Sequence, residues 1–249
     1  MLELRAGDAV VVVDPEGGGR ITRIAVAGRD LLAPAGLWVM APWVGRVAHG
    51  RFSHDGVEHR LPIDLPPHAV HGTVRGVAWT VDEATTDTAA LRAPLGPSWP
   101  WPGHARHHVT VRHDHVELHA EVHADADAGA FPAALGWHPW FAKPTAVRFH
   151  ADAMLERGAD GLPTGRRVPP VPPGHRALDD CFEGVRWPVE VDDLRVDADG
   201  CDHVVVYDAQ ADATCVEPQT APPDALNIGG AATVRPDQPL RATMRIRWA

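Results

Sequence analysis

The sequence predicts an all-β protein, a large antiparallel β-sandwich that occupies residues 1–249 as one domain. Three observations carry this expectation. Short runs of alternating apolar and polar residues recur along the chain, separated by Gly, Pro or Asp turns. No window of about 11 residues shows a persuasive helical period, which argues against a helical bundle or a βαβ array. The 23 Gly and 24 Pro exceed average usage of about 7% and 5%, so many turns are expected.

Taken in order, residues 9–13 are a short apolar run ending at Asp14-Pro15-Glu16-Gly17-Gly18-Gly19, and residues 21–26 begin a second run before Gly28. These form a hairpin or two neighbouring strands. Residues 51–61 set Phe52, Val57 and Leu61 around Gly56 as another hairpin. Segments 76–82, 107–112 and 116–122 follow. The clearest alternation is Val116, Leu118, Ala120 and Val122, with Glu117, His119, Glu121 and His123 between them. One face is apolar and the other solvated, the pattern of a sheet packed on one side. Later candidates are 146–150, 203–207, 213–216 and 240–248. The stretch 162–175, with Pro163, Pro169, Pro170, Pro172 and Pro173, reads as a long loop crossing the sandwich, and 124–130 as a surface turn. Two sheets face to face account for the sum, and 249 residues bury a substantial core without staples.

Lys plus Arg number 23 and Asp plus Glu 33, a formal charge of -10. Such a surface repels phosphate backbones and anionic membranes, so neither nucleic acid nor a membrane is the expected partner. Cys181, Cys201 and Cys215 are odd in number and widely spaced, which reads as reduced thiols in a cytoplasmic protein. No apolar stretch suggests a leader or reaches about 18 residues. A monomer or homodimer is expected.

Most of the 16 histidines are expected to be bland. His107, His108, His113, His115, His119 and His123 lie on or beside strand-like segments. His113 and His115 share a face, as do His119 and His123, a spacing at which imidazoles can converge on a metal. No companion Cys or carboxylate ligand stands out, so a solvated face is the better account and no metal is expected. Two others differ in context. His71 sits at a turn in His68-Ala69-Val70-His71-Gly72, and His138 is embedded among aromatics in Leu135-Gly136-Trp137-His138-Pro139-Trp140-Phe141. Imidazole exchanges protons near neutral pH, and aromatic walls stack on the apolar faces of sugars. The alternative is a core histidine satisfied by a backbone carbonyl.

Glu217 follows the apolar run Thr214-Cys215-Val216. A carboxylate at a strand end on the lip of a cleft can be tuned as a general base; the alternative is an ordinary Glu facing water. Asp224 and Asn227 read as turn residues. Arg46, after Trp43-Val44-Gly45, can fix a hydroxyl or carboxylate through its fork of donors, or form a structural ion pair. Of Asp179 and Asp180, one can accept hydrogen bonds from vicinal hydroxyls.

Four blocks, in order, resemble the aldose 1-epimerase family. Pro42-Trp43-Val44-Gly45-Arg46-Val47-Ala48-His49-Gly50-Arg51-Phe52 resembles its Asn-Arg-Ile-x-x-Gly-Arg-Phe region, and His71-Gly72 with Trp79 its His-Gly segment and downstream Trp. Gly136-Trp137-His138-Pro139-Trp140-Phe141 resembles its Gly-x-His-Pro-Tyr-Phe element. Val216-Glu217-Pro218-Gln219-Thr220 with Pro223-Asp224-Ala225-Leu226-Asn227 resembles its Glu-x-Gln-x-x-x-Pro-Asp-Ala-x-Asn block.

The resemblance implies a galactose mutarotase-like sandwich that binds a sugar in an open cleft and interconverts the α and β anomers of a free aldose, with no cofactor and no metal. It implies Glu217 as the base on the anomeric hydroxyl, His138 as the acid on the ring oxygen, and His71 as a second histidine near the reacting centre. Arg46 and Asp179 are the implied hydroxyl-binding residues. Asp179 is preferred over Asp180 because it stands three residues before Phe182. Trp140 and Gln219 are further candidates for substrate binding, Trp140 as a stacking surface. The pattern departs at Gly45, where the family carries Asn, and at Trp140, where Tyr is common. Two other activities compete. One is epimerisation of a hexose 6-phosphate, for which Arg46, Arg51 and Arg75 could supply cations. The other is a non-catalytic carbohydrate-binding module, and a glycoside hydrolase would want a second catalytic carboxylate.

Overall fold

The computed structural model describes residues 1–143 and 145–248. Two eight-stranded antiparallel sheets dominate these residues and share one apolar core. The first runs Thr80–Ala84, Thr88–Pro94, Gly103–Val111, His115–Ala124, Leu240–Arg247, Leu194–Asp199, Arg186–Val191, Val147–His150. The second runs Pro163–Val168, Ala153–Arg157, Asp179–Glu183, His203–Tyr207, Ala213–Gln219, Gly136–Trp137, Val39–Met40, with Trp140–Ala142 added against Ala213–Gln219. A four-stranded meander, Leu2–Ala6, Ala9–Asp14, Arg20–Val26 and Arg29–Asp30, covers part of the core. Among the described residues the α-helical content is the single turn Ala225–Ile228.

The alternation expected around residue 118 is what builds the first sheet. Val116, Leu118, Ala120 and Val122 are fully buried. They join Val109, Met244 and Ile246 of neighbouring strands in one cluster with Phe182, Val204, Val206 and Val216 of the other sheet. Both expected hairpins form, Ala9–Asp14 with Arg20–Val26 and Arg51–His54 with Val57–Arg60.

Four expectations need correction. The proline-rich stretch is not loop throughout: Pro163–Val168 is an edge strand paired with Ala153–Arg157, and Pro163 begins it, where a missing N–H costs no ladder bond. The run at 213–216 extends as Ala213–Gln219, so Glu217 lies within a strand rather than past its end. His107 is not on a solvated face. It is completely buried, and its Nε2 accepts a hydrogen bond from Trp137 Nε1 at 3.4 Å. Glu121 also departs from the solvated face: it is 8% exposed, held by His123 at 2.8 Å and Arg241 at 2.5 Å.

Burial holds the His107 ring neutral, lowering its pKa from 6.5 to about 3. The unfolded chain therefore binds a proton that the native chain refuses, and stability falls as pH drops from 6.5 toward 3. The slope from this residue is up to about 1.4 kcal/mol per pH unit. His107→Gln keeps an acceptor for Trp137 and removes the titration, so its melting temperature is expected to fall less steeply than that of the parent between pH 6.5 and 4.5, as read by thermal denaturation.

Candidate active site

The floor of the site follows from strand periodicity. Along Asp179–Glu183, His203–Tyr207 and Ala213–Gln219, the even-numbered Phe182, Val204, Val206 and Val216 enter the core. The odd-numbered residues must then face the other way. Register aligns them in rows: Asp179, Tyr207, Cys215 and Trp140 in one, Cys181, Val205 and Glu217 in the next. Asp179, Cys181, Val205, Tyr207, Trp140, Glu217 and Gln219 line a cleft of about 400 Å³, a volume suited to a small polar ligand.

The opposite wall comes from the segment carrying Arg46 and His71. Arg46–Val47 pairs with Ala69–Val70, and the His71 N–H donates to the Gly45 carbonyl at 2.9 Å. His71 adopts φ 62 and Gly72 φ 76. A Cβ on Gly72 would overlap the Ala41 carbonyl, so glycine at position 72 is a steric requirement of this turn. Gly45, where the family pattern carries Asn, has φ 55 and would place a Cβ 2.7 Å from Pro223. Pro223 thus occupies the space an amide side chain would need.

The Pro223-Asp224 block braces this wall. The Asp224 N–H donates to the Arg46 carbonyl at 2.7 Å. Asp224 Oδ1 accepts from the Ala48 N–H at 2.9 Å and from Asn227 Nδ2 at 2.7 Å, and Asn227 Nδ2 also reaches the Arg51 carbonyl at 2.9 Å. Asp224 and Asn227 are therefore braces for the arginine segment as well as turn residues.

Two ionisable groups meet on the floor. His138 Nε2 lies 3.3 Å from Glu217 Oε1, with side-chain exposures of 7% and 4%. Burial, and then the neighbouring Asp179 carboxylate, push the Glu217 pKa well above its ordinary 4.5. Burial lowers that of His138 to about 3, and burial followed by His138 lowers that of His71. Both shifts within the pair favour neutral forms, as desolvation dictates. Gln219 Nε2 donates to Glu217 Oε2 at 3.1 Å. The His138 ring is stacked with Trp38, centroids 4.5 Å apart, and with Trp140, 5.1 Å away and tilted by 13°; the two indoles are themselves 6.3 Å apart, too close to lie on opposite faces of the imidazole. His71 meets it edge-on at 4.8 Å.

The structure brings together Glu217, His138, His71, Arg46, Asp179, Trp140 and Gln219 around one cleft. Gln219 is fully buried and holds Glu217, and one face of Trp140 is taken by His138. Asp180 points away and pairs with Arg176 at 2.7 Å, as the preference for Asp179 requires. Arg51 and Arg75 do not line the cleft: Arg75 is bound to Asp64 at 2.5 Å, and the exposed Arg51 faces Glu58. Sequence reasoning missed Arg157 and Tyr207. Arg157 Nη1 donates to Asp179 Oδ2 at 2.9 Å, beside Arg46 Nη2 at 3.5 Å. Tyr207, the sole tyrosine, ends a run already recognised as a strand, and period-two counting from Val205 would have found it.

An open, antiparallel sandwich thus carries a buried carboxyl–imidazole pair on the floor of its cleft. The chain matches the aldose 1-epimerase family model over residues 1–247, and it belongs to that family. It is 32% identical to rat galactose mutarotase over 136 residues, 50% of this chain and 40% of that protein. It is 32% identical to the uncharacterized protein YihR of Escherichia coli K12 over 107 residues, 41% of this chain and 34% of that one. These matches thus span two fifths or less of the relatives' length. The fold is similar to that of a putative aldose 1-epimerase from Escherichia coli K12, with TM-score 0.89 and 18% identity over 99% of this chain and 98% of that one. A galactose mutarotase-like protein from Clostridium acetobutylicum superposes with TM-score 0.83 at 15% identity, covering 98% and 93% of the two chains.

Two outcomes are expected. Asp224→Ala leaves the Ala48 N–H without its partner and should destabilise the chain by about 1–3 kcal/mol, with Asp224→Asn closer to the parent in denaturant unfolding. Glu217 holds its proton to higher pH in the folded than in the unfolded chain, so native stability declines as pH rises from 4.5 toward the raised value. Glu217→Gln should therefore melt at a higher temperature than the parent at pH 7.5, with the difference shrinking toward pH 4.5.

Proposed function

We propose that this cleft interconverts the α and β anomers of a free aldose by acid/base opening and reclosure of the sugar ring. The observation that carries the proposal is the 3.3 Å approach of His138 Nε2 to Glu217 Oε1 on a buried floor. The anomeric hydroxyl and the ring oxygen are bonded to the same carbon, so an acid and a base that lie close together can serve both.

The pair holds one proton beyond the neutral ring's own, either as carboxylate with imidazolium or as carboxylic acid with neutral imidazole. In the proposed reaction the Glu217 carboxylate takes the proton of the anomeric hydroxyl while the His138 imidazolium gives one to the ring oxygen. The bond from C1 to the ring oxygen breaks, leaving a free aldehyde, a protonated Glu217 and a neutral His138. Rotation about C1–C2 presents the other face of the carbonyl, and reclosure returns both protons. Burial favours the neutral pair, which is the state that accompanies the open sugar. The two indoles stacked with His138 stabilise the opposite, charged state through their π faces. Neither form is then a trap, as a reversible reaction requires. His71 is assigned to a hydrogen bond near the reacting centre, Arg46 and Asp179 to the hydroxyls, and Gln219 to holding Glu217.

A neutral sugar suits the charges better than a phosphorylated one. The cleft cations Arg46 and Arg157 share Asp179, and Arg51 and Arg75 are engaged outside the cleft. A module that only binds sugar would have no use for a carboxyl buried at such cost. A hydrolase would need a second free carboxylate, and Asp179 is engaged by two guanidinium groups. Cytoplasmic residence, where the three buried thiols stay reduced, completes the proposal.

The test is relaxation of the optical rotation of fresh α-D-glucose, α-D-galactose and glucose 6-phosphate. Acceleration of a free sugar is expected, with a loss of about 10²–10⁴-fold in Glu217→Gln and in His138→Gln. Acceleration of the phosphate alone would transfer the proposal to hexose 6-phosphates, and acceleration of none of the three would overturn it for these sugars.

A further inference from the structure

The acid/base pair has a third neighbour that the proposed reaction does not use. Cys215 lies two residues before Glu217 on the same strand, so its side chain shares the cleft-facing side of the sheet with that carboxylate. One ligand atom each from Cys215, His138 and Glu217 lies within 4.8 Å of the others, and all three residues are buried. A thiolate, an imidazole nitrogen and a carboxylate oxygen are the three donor types that zinc takes, and three protein ligands with one open position is a familiar zinc arrangement. The cleft beside Glu217 and His138 offers the open position to water or to a sugar hydroxyl.

We propose that Cys215 Sγ, a ring nitrogen of His138 and a carboxylate oxygen of Glu217 bind a thiophilic divalent cation of the zinc type, and that the bound cation blocks the site. The blocking half rests on the acid/base function proposed above; the binding half does not. Coordination displaces the Cys215 thiol proton and the proton held by the Glu217–His138 pair, both to solvent, because the ligands must be deprotonated. A nitrogen and an oxygen bound to metal are then unavailable to a hemiacetal, so cation and sugar compete.

The surroundings make this a reversible inhibitory site rather than a resident cofactor site. Ligating histidines in durable sites donate their other ring nitrogen to a partner, whereas His138 Nδ1 is buried without one. Glu217 does have such support, from Gln219. Cys201 lies outside the cleft, and Cys181, which lines it, is not among the residues whose ligand atoms converge. Cys181→Ser is therefore the control that separates the two thiols, and the surface histidines and carboxylates supply only nitrogen and oxygen donors.

Cobalt(II) is the probe, because a thiolate ligand announces itself by a charge-transfer band in the near ultraviolet. Titration of the full chain should give that band, saturating at one equivalent. It should be lost in Cys215→Ser and Cys215→Ala, with folding checked by tryptophan fluorescence, and kept in Cys181→Ser. Zinc should slow the acceleration of mutarotation competitively with sugar, and Cys215→Ser should raise the zinc concentration that halves the rate by at least about tenfold. No band, a band that survives in both Cys215 variants, or one lost in Cys181→Ser would overturn the site. If the metal-free chain accelerates no sugar, the functional proposal fails while the cobalt band still decides the binding.

Discussion

Everything about the cleft depends on the approach of a carboxyl to an imidazole at a buried position. Two isolated ionised groups there would each cost several kcal/mol. A pair sharing one proton avoids most of that cost, because the proton can sit on either partner. The 3.3 Å contact between His138 Nε2 and Glu217 Oε1 is therefore a condition for the burial of both groups and the source of their chemistry. Asp179 adds a second negative charge that raises the Glu217 pKa, and Arg46 opposes it. Arg46 and Arg157 both reach the Asp179 carboxylate.

The sandwich supplies this arrangement cheaply. A strand alternates its faces, so one sequence such as Ala213–Gln219 can commit Val216 to the core while presenting Glu217 and Gln219 to the cleft. Rigidity comes from neighbouring strands rather than from loops. The opposing wall has no such sheet behind it and is secured differently, by the Asp224 carboxylate and by close backbone approaches at Gly72 and Gly45. The two glycines and Asp224 thus serve the position of Arg46 and His71 without belonging to the reacting set.

The fold was legible where one face of a strand meets water. Val116 to Val122 alternates cleanly, and the structure follows it at every position but Glu121, which is buried. The second sheet carries the cleft on one face and the core on the other, and both faces are largely buried. Its polar positions are then few, so Ala213–Gln219 looks like an apolar run with an acid after it, and Glu217 was misplaced past the strand end. The edge strand Pro163–Val168 was hidden by its first residue, since proline is tolerated at a strand start but reads as a breaker. His107 shows the limit of counting polar residues as exposed: it is fully buried with its Nε2 accepting from the indole N–H of Trp137, while its Nδ1 has no partner among the described residues. The expected site residues other than Asp179 emerged from four ordered blocks rather than from periodicity, and Asp179 from its spacing to Phe182. Arg157 lies outside those blocks, and only the fold brings it to Asp179.

The central claim, a buried pair that works while it holds one shared proton, is tested most directly by the pH dependence of kcat/KM for mutarotation of the free sugar. The account predicts a rate that does not rise through pH 6.5, and that falls on the alkaline side as the pair loses its proton. A rate that climbs with pH through 6.5, in the manner of an ordinary solvent-exposed histidine acting as a lone base, would contradict it.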